Sequence, residues 1–382
     1  MPHRRLRSAT RLLVILIAVV TAAATAHPAP ARADDALQRR VLAELKGYTD
    51  WLGRNNVKGY VGEVGWPDDV RGDAARWNAL AERWYQAADA ADLWVTAWAT
   101  GEWWGQSYPL AVYEDRLAPV GLDTPNTQAS VVDAHPTRGG TLRGVNVAGG
   151  EFGSPVDQPT SAFSNAAPGV YDRAYHYDSA ATFAWLAARG VRLVRLPVRW
   201  ERLQPALGQA LDQTEVQRVK DAVGRAGAAG LQVVLDLHNY GAYYQSDGRQ
   251  GVRRPLGSGA VPDSAFADLW RRLSLHFKDD PAVVAYGLMN EPTGLSSATV
   301  WERASQAAVD AIRATGDRTY VRVAGNLWSG VTSFAQQHPR AWIRDPLGYV
   351  RYEAHHYFDR DHSGHYVHTY AEEVADSAAQ GY

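Results

Sequence analysis

Hydrophobic residues after position 35 follow two kinds of spacing, and the two kinds alternate along the chain. Residues 36–56, for example, carry an apolar side chain at every third or fourth position, which predicts an amphipathic helix. Residues 282–289 form a short continuous apolar run with β-branched residues in its middle, which predicts a buried strand. Asn290, Glu291 and Pro292 follow this run, so these residues lie where a strand ends and a loop begins.

The same patterns predict eight strands, at or within residues 59–67, 93–98, 142–148, 191–197, 232–238, 282–289, 319–324 and 350–355. Helical spacing predicts helices at residues 36–56, 74–91, 179–189, 213–229, 265–277, 298–315 and 366–379. Strict alternation of strands and helices is typical of parallel βαβ units, and eight parallel strands close a barrel. We therefore expect an α/β fold of the TIM (β/α)8 type, with catalytic groups at the C-terminal ends of the strands.

The alternation fails between residues 106 and 142, where prolines and glycines are frequent. We interpret this stretch as a linker with few buried contacts that tolerates shortening. The predicted organisation is then a targeting segment (1–33), a barrel segment with two strands (34–105), the linker (106–142) and a barrel segment with six strands (143–382). Together the two barrel segments form a single catalytic domain.

The overall composition is that of an ordinary globular protein, with 21% charged residues and a formal net charge of −2. This near-neutral balance argues against nucleic acid as a partner. The 14 tryptophans and 19 tyrosines combine apolar faces with polar groups, as sugar-binding clefts require, although large cores also use them. No cysteine is present, so the chain forms no disulfides, and no cofactor is predicted.

The N-terminus has the pattern of a signal peptide. Several arginines precede the apolar residues 12–20, and small residues then lead to Ala31-Arg32-Ala33. We expect cleavage before Asp34, secretion, and no membrane attachment afterwards. A retained anchor is the alternative, and Arg4-Arg5 leaves the choice between the general and twin-arginine export routes open.

Short motifs lie at the ends of most of the predicted strands. They are Gly62-Glu63-Val64-Gly65, the stretch 98–104, Arg143-Gly144-Val145-Asn146, Val194-Arg195-Leu196-Pro197, Asp236-Leu237-His238-Asn239-Tyr240, Met289-Asn290-Glu291-Pro292 and Tyr352-Glu353-Ala354-His355-His356-Tyr357. Together they resemble glycoside hydrolase family 5, the cellulase family of retaining glycosidases. The resemblance covers nearly all of the chain after the targeting segment.

The order of these motifs departs from that family. Strands resembling the one with Glu63 and the one with Trp98 come seventh and eighth there, but first and second here. The resemblance therefore implies a circular permutation, which a closed barrel permits because its first and last strands are neighbours. The alternative is a fragment that joins the tail of one domain to the front of another.

The resemblance implies two catalytic carboxyl groups, Glu291 as acid/base and Glu63 as nucleophile. Burial at a strand end would also raise the pKa of Glu291, which suits a general acid. A plain loop glutamate before a turn proline is the alternative for Glu291. Asn290 matches the asparagine that binds the sugar 2-hydroxyl. We expect the carboxyl groups of Glu63 and Glu291 to lie about 5–5.5 Å apart, as a retaining mechanism requires.

Five further residues match the substrate-binding groups of the family. Tyr357 would donate a hydrogen bond to the nucleophile, and Arg195 beside it would also favour the ionised form. His238 and His355 match pocket histidines, and Trp98 matches the aromatic platform under the sugar. A structural ion pair for Arg195 and a core position for His238 are the alternatives.

Other aromatic and histidine residues are less specific. Trp328, Trp104 and Trp103 are candidates for stacking on further sugar units, and plain packing explains them equally well. The tail histidines fit no standard zinc-ligand spacing, so we predict no metal in the site. They are His355, His356, His362, His365 and His368. The sequence leaves open whether the loops bind a structural ion.

These matches favour a secreted retaining endo-β-1,4-glucanase that acts on a polysaccharide or oligosaccharide as a monomer. A β-mannanase, an exo-acting β-glycosidase and a non-catalytic carbohydrate-binding barrel are the alternatives, because loops decide the substrate.

Overall fold

A closed ring of parallel strands forms the centre of the computed structural model, which describes residues 35–68, 71–104, 108–117, 120–154 and 163–382. The strands in these residues are β1 (Lys58–Gly65), β2 (Trp94–Thr100), β3 (Tyr113–Glu114), β4 (Thr124–Pro125), β5 (Arg143–Val147), β6 (Leu193–Val198), β7 (Gln232–Leu237), β8 (Ala242–Ser246), β9 (Gly251–Pro255), β10 (Val283–Gly287), β11 (Tyr320–Ala324) and β12 (Val350–Tyr357). The helices are α1 (Ala36–Asn55), α2 (Ala74–Ala90), α3 (Ala129–Ala134), α4 (Ala180–Ala188), α5 (Trp200–Leu203), α6 (Gln213–Ala228), α7 (Asp263–Phe277), α8 (Ala298–Arg313), α9 (Val331–Gln337) and α10 (Tyr370–Ala379).

Eight of these strands pair in the order β1-β2-β5-β6-β7-β10-β11-β12, and β12 pairs with β1 to close the ring. All eight pairings are parallel. The predicted barrel is therefore confirmed. Because β1 and β2 complete a single ring with the other six strands, the two predicted barrel segments form one barrel in this structure.

The N-terminal helix α1 packs against the C-terminal part of the chain. Asp35 begins the helix as an N-cap in a capping box with Gln38, and Asn56 ends it in the left-handed conformation. Trp51 is buried, and its ring lies edge-on to Phe334 and Tyr352 at centroid distances of 4.9 and 5.1 Å. The segment before β1 therefore contributes to the same hydrophobic core as the strands that close the ring.

Side chains fill the interior of the barrel. The strands read as almost continuous buried runs, as expected for a parallel sheet covered by helices. A separate apolar layer contains Tyr60, Trp94, Leu142, Leu193, Val234 and Ala285. The guanidinium of Arg322 lies 4.1 Å from the centre of the Trp94 ring, which gives this buried cation a favourable aromatic face.

Residues 108–117 and 120–142 contain β3, β4 and α3, so the expectation of a poorly packed linker is wrong there. Short apolar stretches between the prolines and glycines are buried in the core, including Val112, Tyr113 and Val131. The Tyr113 hydroxyl donates to Asp133 at 2.7 Å. The frequent prolines and glycines correctly indicated turns in this segment. Because of them, however, the segment's contribution to the core was not predicted.

Most predicted elements agree with the structure to within a few residues, and the differences have local causes. The last helix begins at Tyr370 rather than at residue 366, because Thr369 is its N-cap in a capping box with Glu372. The hairpin β8–β9 and the short helices α5 and α9 were not predicted, since each is too short for a periodic signal. The predicted targeting segment lies outside the described residues, and none of the helices in those residues is long and apolar enough to cross a membrane.

Candidate active site

A cleft of about 660 Å³ lies at the C-terminal ends of the barrel strands. The described residues that line it are Glu63, Trp98, His238, Tyr240, Glu291, Leu327, Trp328, Gly330, Thr332, Ser333, His355, Tyr357, Asp361, His362, Ser363 and His365. This rim is where (β/α)8 barrels carry their reactive groups. Of the ten predicted site residues, seven line the cleft, and Arg195 and Asn290 are buried directly beneath it.

Glu63 and Glu291 face each other across this cleft. Glu63 lies on β1, and Glu291 follows β10 in the left-handed backbone conformation, with φ of 44°. One carboxylate oxygen of each and a ring nitrogen of His355 all lie within 4.8 Å of one another. Such a short separation is close to the spacing of about 5–5.5 Å in retaining glycosidases and below the roughly 6.5–9.5 Å of inverting ones.

The surroundings of Glu63 favour its ionised form. Burial alone would raise the pKa of this carboxyl, but the charges of His355 and Arg195 outweigh it and lower the pKa below the ordinary value. Arg195 Nη1 donates to Oε1 at 2.9 Å, and the Tyr357 hydroxyl donates to Oε2 at 2.5 Å. Glu63 is therefore an oriented carboxylate with both oxygens occupied.

The surroundings of Glu291 favour its protonated form. Burial raises the pKa of Glu291, and the negative charge of Glu63 raises it further, while His355 offsets part of the effect. The pKa values of Glu63 and Glu291 are thus shifted in opposite directions. Divergent pKa values in neighbouring carboxyl groups assign one as the acid and the other as the charged partner.

His355 on β12 connects the two carboxyl groups. Its Nδ1 lies 2.8 Å from Glu291 Oε1 and its Nε2 lies 3.1 Å from Glu353 Oε1. Burial alone would lower the pKa of His355, but the charge of Glu63 and the hydrogen bonds to Glu291 and Glu353 raise it to about 10. The ring is accordingly a cation that donates from both nitrogens.

Arg195 is the fully buried centre of the polar network beneath the cleft. It donates to Asn146 Oδ1 at 2.9 Å and to Asn290 Oδ1 at 2.6 Å. It also forms ion pairs with Asp236 and Glu353 at 3.0 and 3.1 Å. A buried guanidinium is stable only when it is paired in this way, and the pairing fixes the positions of its neighbours.

His238 holds the amide of Asn290 in one orientation. Burial and the nearby charge of Arg195 lower the pKa of His238 well below its ordinary value, so the ring is neutral. Its Nδ1 lies 3.0 Å from Asp236 Oδ2, and its Nε2 lies 3.0 Å from Asn290 Nδ2. With Nδ1–H donating to Asp236, Nε2 accepts from the Asn290 amide, whose oxygen accepts from Arg195, so the amide is held from both sides.

The predicted aromatic residues have different positions. Trp98 lines the cleft, precedes a cis peptide bond, and stacks on His238 with ring centroids 5.8 Å apart. Trp104 is not among the described residues of the cleft wall, because its ring stacks on Tyr108 at 3.8 Å. Trp103 stacks on His176, which is also outside that wall. The structure thus brings Trp98, but neither Trp103 nor Trp104, into the cleft.

Trp328 also lines the cleft and is 37% exposed. It is the middle residue of three in the left-handed conformation, Leu327, Trp328 and Ser329, with φ of 57°, 61° and 57°. The Ser329 hydroxyl donates to the Glu353 carbonyl at 2.6 Å and thereby ties this turn to β12. Such a backbone conformation is unfavourable for non-glycine residues and persists only when the surroundings hold it.

Several buried polar residues of the site lay within the recognised motifs but received no role from sequence. They are Asn146, Asp236 and Glu353, together with Tyr240 in the cleft wall. A usable signal was present on β12, where Glu353, His355 and Tyr357 alternate and therefore lie on one face of the strand. Alternating polar residues in an otherwise apolar buried strand indicate an internal polar network.

The tail histidines do not converge on one point. His356 Nε2 and His362 Nε2 contact the two oxygens of Glu44 at 3.0 and 3.2 Å, while His355 contacts Glu291. His365 lies in the cleft wall. Within the described part of the chain, only the group Glu63, Glu291 and His355 combines a tail histidine with metal-ligand spacing.

A family model and several known proteins match parts of the chain. The family model described as Cellulase (glycosyl hydrolase family 5) matches residues 150–381. The manganese dependent endoglucanase Eg5A of Phanerodontia chrysosporium is 29% identical over 230 residues, which cover 58% of this chain and 54% of that protein. For this relative and for endoglucanase gh5-1 of Neurospora crassa, the chain spans only 54% and 51% of the relative's length.

Two solved structures are similar over 62% of this chain. The endo-β-1,4-glucanase Xac0029 from Xanthomonas axonopodis pv. citri is 37% identical with a TM-score of 0.51, over 62% of this chain and 72% of that chain. XacCel5A, solved in complex with cellopentaose, is 35% identical with a TM-score of 0.51, over 62% of this chain and 73% of that chain.

Proposed function

Because the chain belongs to glycosyl hydrolase family 5, the cellulase family of glycoside hydrolases, we propose that it is a retaining endo-β-1,4-glucanase. The observation on which this proposal rests is the pair Glu63 and Glu291. One carboxylate oxygen of each lies within 4.8 Å of one oxygen of the other, and the pKa values of the two groups shift in opposite directions. A nucleophile and an acid of a double displacement need these properties.

In the first step, ionised Glu63 attacks the anomeric carbon while protonated Glu291 gives its proton to the departing glycosidic oxygen. A covalent glycosyl ester on Glu63 results. In the second step, Glu291 has become a base and removes a proton from water, whose oxygen then displaces Glu63. Both displacements invert the anomeric carbon, so the product keeps the β configuration.

The neighbouring residues support these steps. Asn290, oriented by His238 and Arg195, donates to the sugar 2-hydroxyl, where hydrogen bonds strengthen in the transition state. Tyr357 and Arg195 stabilise the ionised nucleophile. Trp98 supplies the platform for the sugar whose bond is cut, and Trp328 is the candidate for stacking a further unit.

The strand order supports a circular permutation relative to the family. The family model leaves residues 35–149 unmatched, although these residues supply β1, β2 and β5, three of the eight ring strands, and also Glu63. A comparison that follows the chain from end to end cannot match strands that have moved from the last positions to the first. In this proposal, residues 106–142 reconnect the ancestral termini.

Two observations support a β-1,4-glucan as the substrate. Relatives named as endoglucanases match the chain, and one similar protein was solved with cellopentaose. The cleft of about 660 Å³ has room for more than one sugar ring. The β-mannanase and exo-acting alternatives differ only in loop contacts, and the non-catalytic barrel is disfavoured by the presence of both carboxyl groups.

The proposal includes export by the N-terminal segment and action as a monomer on a polysaccharide or oligosaccharide. Manganese dependence is part of the name of the Phanerodontia relative and is a statement about that protein. No step proposed here uses a metal or another cofactor.

Turnover on a panel of β-glycans tests the substrate. We expect release of oligosaccharides from soluble β-1,4-glucan, with a rapid fall in viscosity that marks internal cleavage. Faster turnover on β-mannan, or release of a single sugar unit, would select one of the alternatives. Binding of glucan without turnover by the wild-type protein would make the chain a binding protein. NMR of the first-formed anomeric proton tests retention independently.

A further inference from the structure

A second cluster of ligand-type side chains lies outside the cleft wall, and we call Glu102, His176 and Asp178 the Glu102 cluster. Glu102 belongs to the loop after β2, and the other two residues precede α4. One ligand atom of each residue lies within 4.8 Å of the other two. Glu102 Oε2 and His176 Nε2 are 3.2 Å apart, close to the separation of about 3 Å between two ligand atoms at right angles on an ion with bonds of roughly 2.1 Å.

The outer partners of the cluster hold its ligand atoms in place. Glu102 Oε1 accepts hydrogen bonds from the Ser179 amide, the Ser179 hydroxyl and the Thr182 hydroxyl, at 2.9, 2.6 and 2.5 Å. The other oxygen of Glu102 is thereby directed at His176. Asp172 Oδ1 lies 2.7 Å from His176 Nδ1. A carboxylate on the far nitrogen of a histidine is the usual way to orient a metal ligand.

One group in the cluster lacks a suitable partner among the described residues. Asp178 is only 1% exposed, and its Oδ2 has no hydrogen-bond donor there. His176 lies between the carboxylates of Asp172 and Glu102, with one ring nitrogen on each. A buried carboxylate oxygen without a donor is unfavourable unless a positive charge lies beside it.

We propose that the Glu102 cluster binds one divalent transition-series cation, Mn²⁺ or Zn²⁺, through Glu102, His176 and Asp178. The donor set of two carboxylates and one imidazole suits these ions, whereas Ca²⁺ and Mg²⁺ prefer oxygen ligands alone. Water completes the coordination, since the side chains of Glu102 and His176 are 10% and 17% exposed. Binding displaces any proton held at His176 Nε2 or Asp178.

The cation would join two loops of the barrel rim that come from different parts of the chain. Gly101 has φ of 149°, and a Cβ atom there would lie 2.3 Å from the Ala148 carbonyl, so the loop after β2 approaches the end of β5 closely. Trp103 stacks on the His176 ring at 5.0 Å. The ion would therefore fix the loop that follows the platform residue Trp98, without contacting the reacting groups.

Calorimetric titration of the EDTA-treated, fully dialysed protein tests the site. We expect one equivalent of Mn²⁺ or Zn²⁺ to bind in the micromolar range or tighter, and Ca²⁺ and Mg²⁺ to bind at least tenfold more weakly. Saturation should raise the melting temperature, because the folded state alone holds the site. No binding up to millimolar metal would overturn the proposal, and so would tighter binding of Ca²⁺ or Mg²⁺.

Isosteric variants assign the ligands. Asp178→Asn and Glu102→Gln should each weaken metal binding at least tenfold and abolish the shift in melting temperature. His135→Gln is the matched control, because His135 also contacts two carboxylates, Asp89 and Glu82, but from opposite ring nitrogens that cannot share one ion. Unchanged binding in both cluster variants would overturn the assignment.

The catalytic trio also has metal-ligand spacing, so a further variant separates the two sites. Glu291→Gln should leave stoichiometric metal binding unchanged. Loss of that binding in Glu291→Gln, with retention in Asp178→Asn, would place the ion at the catalytic carboxyl groups and contradict the proposal. Neither readout depends on the enzyme being active on any particular glycan.

Discussion

The hydroxyl of Tyr357 lies 2.5 Å from Oε2 of Glu63, although 294 positions separate the two residues in the chain. The contact exists because β1 pairs with β12, where Gly65 lies opposite Tyr357. The strand pair that closes the barrel therefore also positions the proposed nucleophile.

Tyr357→Phe should weaken catalysis through the ionisation of Glu63. The variant removes a hydrogen bond to a charged group, worth about 1.5–3 kcal/mol, so kcat/KM should fall roughly 10- to 100-fold. The tyrosine helps to lower the pKa of Glu63, so the acidic limb of the pH profile should also move to higher pH. Tyr175→Phe, which removes a similar donor to Glu215, is the control. An unmoved acidic limb would contradict this role.

Glu291→Ala should slow hydrolysis to different extents, depending on whether the leaving group of the substrate needs a proton. General acid catalysis contributes a factor of about 10² to 10⁴ to the reaction rate, so hydrolysis of a natural glucan should slow by this factor. An aryl glycoside with an acidic phenol needs no proton donor, so its glycosylation step should slow far less. Pre-steady-state release of the phenol measures that step. Equal losses on both substrates would argue against Glu291 as the acid.

His355→Gln should move both limbs of the pH profile in the same direction. The cationic ring lowers the pKa of Glu63 and also lowers that of Glu291. The proposed mechanism requires Glu63 ionised and Glu291 protonated, so the pH window of activity lies between their pKa values. Without the cation both values rise, and the whole window shifts to higher pH. A plot of log kcat/KM against pH measures this, and movement of one limb alone would refute the shared role.

Trp51→Ala tests whether the segment before β1 is part of the barrel core. The buried ring contacts Phe334 and Tyr352, so its removal should lower the free energy of unfolding by about 3–5 kcal/mol. Leu275→Ala, on an exposed face of α7, should change it by less than about 0.5 kcal/mol. Urea denaturation followed by fluorescence and circular dichroism provides the values. A small effect of Trp51→Ala would mean that α1 is dispensable.

Deletion of residues 129–134 should impair folding, because α3 places Val131 and Val132 in the core. Insertion of two glycines between Gly139 and Gly140 should be tolerated, because a side-chain atom at either glycine would meet nothing within 4 Å. Melting temperatures of the two variants distinguish the packed part of this segment from its exposed turn. Equal tolerance of both changes would restore the interpretation of the whole segment as a linker.

The elements of the barrel could be predicted because hydrophobic spacing is a local property of the sequence. The apolar run before Glu291 is one example, and the helical spacing of α1 is another. The alternation on β12 indicates an internal polar network, but the pairing of Asp236 and Glu353 with Arg195 could not be predicted, since it depends on how strands pair around the ring.

The orientation of loop side chains could not be predicted from the sequence either. Trp98 and Trp104 lie in one tryptophan-rich stretch, in which the family resemblance assigned Trp98 to the sugar platform and left Trp104 between sugar stacking and plain packing. The structure directs the Trp98 ring into the cleft, whereas the Trp104 ring stacks on Tyr108. Which way a loop side chain faces is decided by contacts that no short-range pattern records.

The closing strand pair also has a consequence for the order of folding. During synthesis β1 emerges early, but its partner β12 emerges about 290 residues later, and joining ends so far apart carries a large entropic cost. Until β12 docks, Glu63 lacks Tyr357 and His355, and the hydrophobic edge of β1 is unpaired on that side. Recovery of glycosidase activity after dilution from denaturant would therefore report the last step of assembly, when the first and last strands meet.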